Sequence, residues 1–128
     1  MAAPDVTLAV VGADFLNKRG PTRRFELAMC APGETVLLVL EPDNPADENA
    51  VAVFSCRDIQ IGYLSAERAP RIRQLIMQGS DVKAIFQSHV GFGAYIRVSF
   101  DGNEPDLPPA FGSDPEPDFY PDEIYDDD

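Results

Sequence analysis

The sequence predicts a mainly β domain: a small closed or partly open barrel of about six short strands, carrying one or two short helices. Three observations predict it. Apolar residues recur in short runs bounded by Gly, Pro and Asp, too brief for amphipathic helices. One segment alone has sustained helical spacing. Six short antiparallel strands in about a hundred residues need closure or strong curvature to avoid leaving open edges. The 128 residues, 45% of them hydrophobic, suit one packed core.

Thr7–Val11 is a continuous apolar run closed by Gly12 and reads as a buried strand. A short helix is expected over Arg24–Cys30, with Phe25 and Met29 on one face and Pro32-Gly33 stopping it. Thr35–Leu40 is the second strand. Ala50–Phe54 and Ile59–Leu64 form the next pair, joined by a hairpin turn at Arg57-Asp58. Leu64, Ile72, Leu75 and Ile76 then fall at helical spacing, with Ser65 ahead of the first turn, Pro70 early and Gly79 just past the end. The chain closes with a hairpin of Asp81–His89 and Ala94–Phe100 about Gly91-Phe92-Gly93. Val82, Ala84 and Phe86 share one face of its first strand, and Ile96, Val98 and Phe100 one face of its second. No internal repeat is present.

The formal net charge of −12 is unevenly placed. Asp101–Asp128 holds eleven acidic residues, no Lys or Arg, and half of the twelve prolines, so residues 1–100 are nearly neutral at −1. The sequence therefore divides into a barrel domain over 1–100 and an acidic, Pro-rich tail over 101–128. Such a tail is expected to be flexible or folded back on the barrel. Basic residues of the body cluster at Lys18, Arg19, Arg23 and Arg24, and again at Arg68, Arg71 and Arg73. No apolar run approaches the roughly 20 residues a bilayer requires, and Met1-Ala-Ala-Pro-Asp5 lacks the pattern of an export signal. A soluble, cytoplasmic protein with no membrane partner is expected, its Cys30 and Cys56 reduced and buried.

The catalytic inventory is thin. His89 stands alone in an apparent strand, so neither Ser nor Cys has a second His to act as base. The ligand spacing of a zinc site and the GxxxxGK[ST] phosphate loop are both absent. The reading is a non-enzyme without metal or cofactor. The most distinctive segment is Glu41-Pro-Asp-Asn-Pro-Ala-Asp-Glu-Asn-Ala50, where Pro42 and Pro45 fix the directions of Asp43, Asn44, Asp47 and Asn49. Three roles suit it: a calcium loop, although the Gly and terminal Glu of that motif are missing; a staple between strands; or a surface for a ligand rich in hydrogen-bonding edges, such as an unstacked base or a sugar hydroxyl.

The order Val10-Val-Gly, Phe15, Asn17, Pro32-Gly-Glu, Glu41-Pro-Asp-Asn-Pro-Ala-Asp-Glu-Asn-Ala-Val-Ala-Val53 and Gln60-Ile-Gly-Tyr-Leu64 resembles the HIRAN domain over roughly residues 6 to 100. The resemblance implies an OB-like or SH3-like barrel that grips the 3′ end of single-stranded DNA in repair or replication. HIRAN domains occur in helicase-like ATPases and as short free-standing bacterial proteins, so a helicase-like ATPase or other repair protein acting in trans is an implied partner. Phe15 falls where the family stacks an aromatic on the terminal base, and Asn44 and Asp47 where it contacts the terminal nucleotide and its 3′-hydroxyl. Asn17, Asn49 and Tyr63 lie close to these in the motif. Lys18, Arg19, Arg23 and Arg24 follow Phe15, positioned to meet the phosphates leading to that end. The chain departs from the best-known DNA-binding members at Asp14, where they are basic, and at Leu16 and Ala46, where they are aromatic.

The tail adds Phe111, Phe119, Tyr120 and Tyr125 among its acids, spaced negative charge and flat rings that imitate single-stranded DNA. It is expected either to fold over the barrel and compete with nucleic acid, to dock onto another protein, or to stay solvated. The alternative to DNA binding is a protein-interaction module that keeps the fold without the DNA site.

Overall fold

The computed structural model describes residues 5–91 and 93–108. Phe92 and the tail residues 109–128 lie outside these, and so do the expectations placed on them. The elements are β1 (Val6–Val11), α1 (Arg23–Met29), β2 (Thr35–Leu40), β3 (Val51–Phe54), β4 (Gln60–Leu64), α2 (Ala69–Met77), β5 (Lys83–Val90) and β6 (Gly93–Ser99). The strands form a closed barrel in the order β1-β4-β3-β2-β5-β6, every neighbour antiparallel. The expected six strands are all present.

Closure rests on β1, which pairs with β4 on one side (Val10↔Leu64) and with β6 on the other (Val6↔Val98 through Val10↔Ala94). Both neighbours place a glycine against it. A Cβ at Gly62 would strike the Val11 carbonyl oxygen, and one at Gly93 the Val10 carbonyl oxygen. Only a residue without a side chain admits backbones this close. Register shifts at Val53/Phe54 and Phe86/Ser88 bend the sheet, as bulges do in small barrels. Inward residues from all six strands, among them Leu8, Val10, Val36, Val53, Ile61, Phe86, Ile96 and Val98, make one core. Full burial of each large side chain is worth about 1.5–3 kcal/mol.

α2 forms where its spacing predicts and buries Ala69 and Ile72, with Pro70 in the first turn. Ser65 does not cap it. The Ser65 carbonyl accepts from Arg68 and Ala69 N–H, while its hydroxyl is buried among the described residues without a hydrogen-bond partner. α1 is capped by Thr22, whose side chain accepts from Phe25 N–H. Here the expected apolar face is reversed: Phe25 and Met29 are exposed, and Arg23, Glu26 and Leu27 are buried. The reversal is affordable because each buried charge has a partner. Glu26 meets Arg57 of the β3–β4 turn at 2.6 Å, and Arg57 reaches Glu34 at 3.2 Å.

Cys30 is buried as expected, and Cys56 is exposed, contrary to expectation, because it sits in the β3–β4 turn. Burial pushes the Cys30 thiol up to about 11. His89 is an exposed strand residue whose Nε2 lies 2.8 Å from Leu27 O and whose ring packs on Phe86. Contacts with the barrel continue past Phe100. Asp101 bridges Asp81, the Ser99 hydroxyl donates to Asn103 O, and Asp106 N–H donates to Asp5 at 3.2 Å.

Candidate functional site

Two loops rise beside β3 and β4 and face each other across an open cleft of roughly 810 Å³. One wall is the segment leaving β1, with Leu16, Asn17, Lys18, Arg19 and Arg23; the other is Leu40–Pro45; Phe54, Ile59, Gln60 and Tyr63 form the floor. Six of the ten sequence-expected site residues thus line one space: Asn17, Lys18, Arg19, Arg23, Asn44 and Tyr63.

The first wall is built from its base. Arg23 is buried, its Nε donating to Asn17 Oδ1 and its Nη1 to Gly12 O, both at 2.9 Å. Its guanidinium carbon lies 5.4 Å from the centre of the Tyr63 ring, a cation–π distance. Asn17 Nδ2 donates to Pro21 O and to Gln60 O at 3.1 Å each. These two residues clip the loop onto β4 while they line the cleft. Arg24 is turned onto Asp14 at 2.6 Å. Above this base the loop is free: Phe15 is 70% and Leu16 75% exposed, and Lys18 and Arg19 are exposed. Phe15 is outside the cleft lining but borders Gly12, as Tyr63 does.

The second wall is locked from within. Glu41 N–H donates to Ala50 O, Ala50 N–H to Asp47 O and Asn44 N–H to Glu41 O, each at 3.0 Å. Asn44 Oδ1 accepts from the N–H groups of Ala46 and Asp47, and Asp47 Oδ1 accepts from Asn49 N–H at 2.8 Å. These are Asx turns, so the staple role expected of the segment is present. Asp47 and Asn49 belong to this lock and lie outside the cleft lining.

Glu41 joins the second wall to the floor, and sequence reasoning gave it no role. Its Oε1 accepts from Tyr63 Oη at 2.7 Å and from Asn44 Nδ2 at 2.9 Å. Burial, followed by the Glu41 carboxylate, raises the Tyr63 phenol above its ordinary range, so the proton that makes this bond is held firmly. The only signal for Glu41 was its place before Pro42 at a strand end. Along the cleft, Lys18, Arg19 and Arg23 of one wall stand against Glu41 and Asp43 of the other, and Asp58 of the β3–β4 turn also lines it. Among the described residues no group of three His, Cys, Asp or Glu is placed to hold a metal, and no helix is long and apolar enough to cross a membrane.

A closed antiparallel barrel with an open cleft between two surface loops defines a protein of the small-barrel class. The HIRAN domain family profile matches residues 10–101, and the chain belongs to that family. It is similar in fold to the crystal structure of the HIRAN domain of human HLTF, with 20% identity and a TM-score of 0.61 over 77% of this chain and 76% of that one. It is also similar to a protein from Lactobacillus plantarum, with 22% identity and a TM-score of 0.65 over 77% and 92% of the two chains. No curated protein matches the sequence.

Proposed function

We propose that the chain is a non-catalytic module that holds the 3′ end of single-stranded DNA in this cleft. The observation that carries the reading is the opposed charge of the two walls. Phosphates would run along Lys18 and Arg19, and the terminal sugar would face Glu41, Asp43 and Asn44. A carboxylate about 4 Å from a phosphate costs about 1 kcal/mol even at the dielectric constant of water. The carboxylate side therefore favours a hydroxyl over a phosphate at the strand's end. Phe15, exposed beside Gly12, supplies a ring for the terminal base, a contact worth about 1–3 kcal/mol. Asp47 and Asn49 act by fixing Asn44, and Asn17 and Arg23 by fixing the opposite loop.

A second reading is a protein-interaction module that keeps the barrel without the DNA site. Exposed Ala46 in place of an aromatic, together with the three cleft carboxylates, favours it. Fluorescence anisotropy with a short labelled strand separates the two. The DNA reading expects a strand with a free 3′-hydroxyl to bind tighter than the same strand with a 3′-phosphate, the preference being lost in Asn44→Ala and Asp47→Ala. Equal, weak binding of both strands at low salt favours the protein-interaction module. Phosphate contacts weaken steeply with salt, whereas stacking does not, so a salt series separates the parts of Lys18 and Arg19 from that of Phe15.

A further inference from the structure

We propose that the outer surface of the loop 14–19, continued onto α1, is a docking surface for an acidic segment bearing aromatic rings, and that its occupant is residues 109–128 of this chain. The surface is apolar and cationic together. Phe15 and Leu16 are exposed on the loop and Phe25 and Met29 on α1. The Asp14–Arg24 ion pair ties these two segments at the residues adjoining Phe15 and Phe25. Lys18 and Arg19 stand beside them without a side-chain partner among the described residues. A large exposed apolar patch edged by charge marks a site of association.

The occupant follows from chemistry and reach. Residues 109–128 contain eight acidic groups, no basic group, and Phe111, Phe119, Tyr120, Ile124 and Tyr125, the complement of that surface. The described chain leaves the barrel beside Asp5, where Asp106 N–H donates to the Asp5 carboxylate, at the start of β1. The loop begins at the other end of the same strand, roughly 20 Å away at about 3.3 Å per residue. About seven extended residues, 109–115, span that distance, which leaves Glu116 and the residues beyond it to lie on the surface. Carboxylates of the opposite cleft wall, Glu41 and Asp43, confine a polyanion to the Lys18–Arg19 side.

The inference rests on the DNA reading in one respect: docking there covers Phe15 and the cationic wall, so the segment competes with nucleic acid. A tethered segment works at an effective concentration of roughly millimolar. An intrinsic dissociation constant of about 0.1 mM then weakens DNA binding about tenfold.

The test compares the full chain with a full-length variant whose eight acids beyond Ala110 are Asn or Gln. A second pair carries Lys18→Glu and Arg19→Glu, so that poor solubility of the first variant does not end the experiment. Amide chemical shifts of residues 14–19 and 25–29 are read by NMR without DNA, and anisotropy of the 3′-hydroxyl strand is read in parallel at low salt. Docking expects those amides to move when the tail is neutralised, and tail amides to move in the Lys18/Arg19 variant. Unmoved amides in both comparisons overturn it. Moved amides with about tenfold tighter DNA binding on neutralisation support docking and competition together. Moved amides with no DNA binding by any variant keep the docking surface and overturn the DNA reading.

Discussion

The two walls of the cleft are built on opposite plans. The 41–50 segment spends its polar groups on itself: Asn44 and Asp47 bond neighbouring N–H groups, and the main chain closes between Glu41 and Ala50. The 12–22 segment is held by Asn17 and Arg23 and by the Asp14–Arg24 ion pair, and leaves Phe15, Leu16, Lys18 and Arg19 to solvent. Rigid acceptors on one side suit recognition of a group with fixed geometry. An exposed ring and two long cations on the other suit a flexible backbone and a base of any identity. Position in the motif does not reveal which of these side chains are already bonded inside the fold.

The sharpest break in that contrast comes from Arg23. Arg23→Ala strips Gly12 O and Asn17 Oδ1 of their donors and the Tyr63 ring of its cation, and is expected to cost about 3 kcal/mol in urea unfolding. Asn44→Ala comes next, at about 2 kcal/mol, because it uncaps two N–H groups of the locked wall. Tyr63→Phe removes the phenol that ties the floor to the locked wall and is expected to cost about 1 kcal/mol at neutral pH. Its deficit depends on pH. The phenol is raised in the folded state, so the stability it confers is complete below the ordinary tyrosine range and is lost as pH rises through the raised value. The variant and parent therefore converge in alkali, and an absorbance titration of the parent contains a tyrosine above the usual range that the variant lacks. Phe15→Ala is the smallest in stability, within about 0.5 kcal/mol, because the ring is exposed. Its DNA affinity is expected to fall by about 1–3 kcal/mol in the same protein. A Phe15 variant that unfolded like Arg23→Ala would erase the distinction between root and tip.

Much of the barrel was legible because strand length and alternation are local properties. All six strands, α2 and both hairpins stand within a few residues of where runs and turns place them. The face of α1 was not legible. Phe25 and Met29 outrank Arg23 and Glu26 in hydrophobicity, and what buries the charged pair lies far along the chain, in Arg57 and in Gly12 O. Six of the ten residues read as a site share the cleft, and the bonds they make inside the fold were not legible. The internal bonds of Arg23 and Asn17 were invisible because a basic or amide side chain carries no mark of where its partners lie. Glu41 escaped notice because its two donors, Tyr63 and Asn44, arrive from different segments.

The pairing of β1 with β6 sets the timing of folding. Val6 meets Val98 across nearly the whole domain, so the first strand to leave the ribosome waits for the last before its edge is covered. Non-local closure of this kind places folding in the slow range, about milliseconds to seconds. A chain halted before Gly93 would present unpaired edges on both β1 and β5 and be prone to aggregate. The domain is thus most exposed to misassembly during synthesis, and least once Ser99 has emerged.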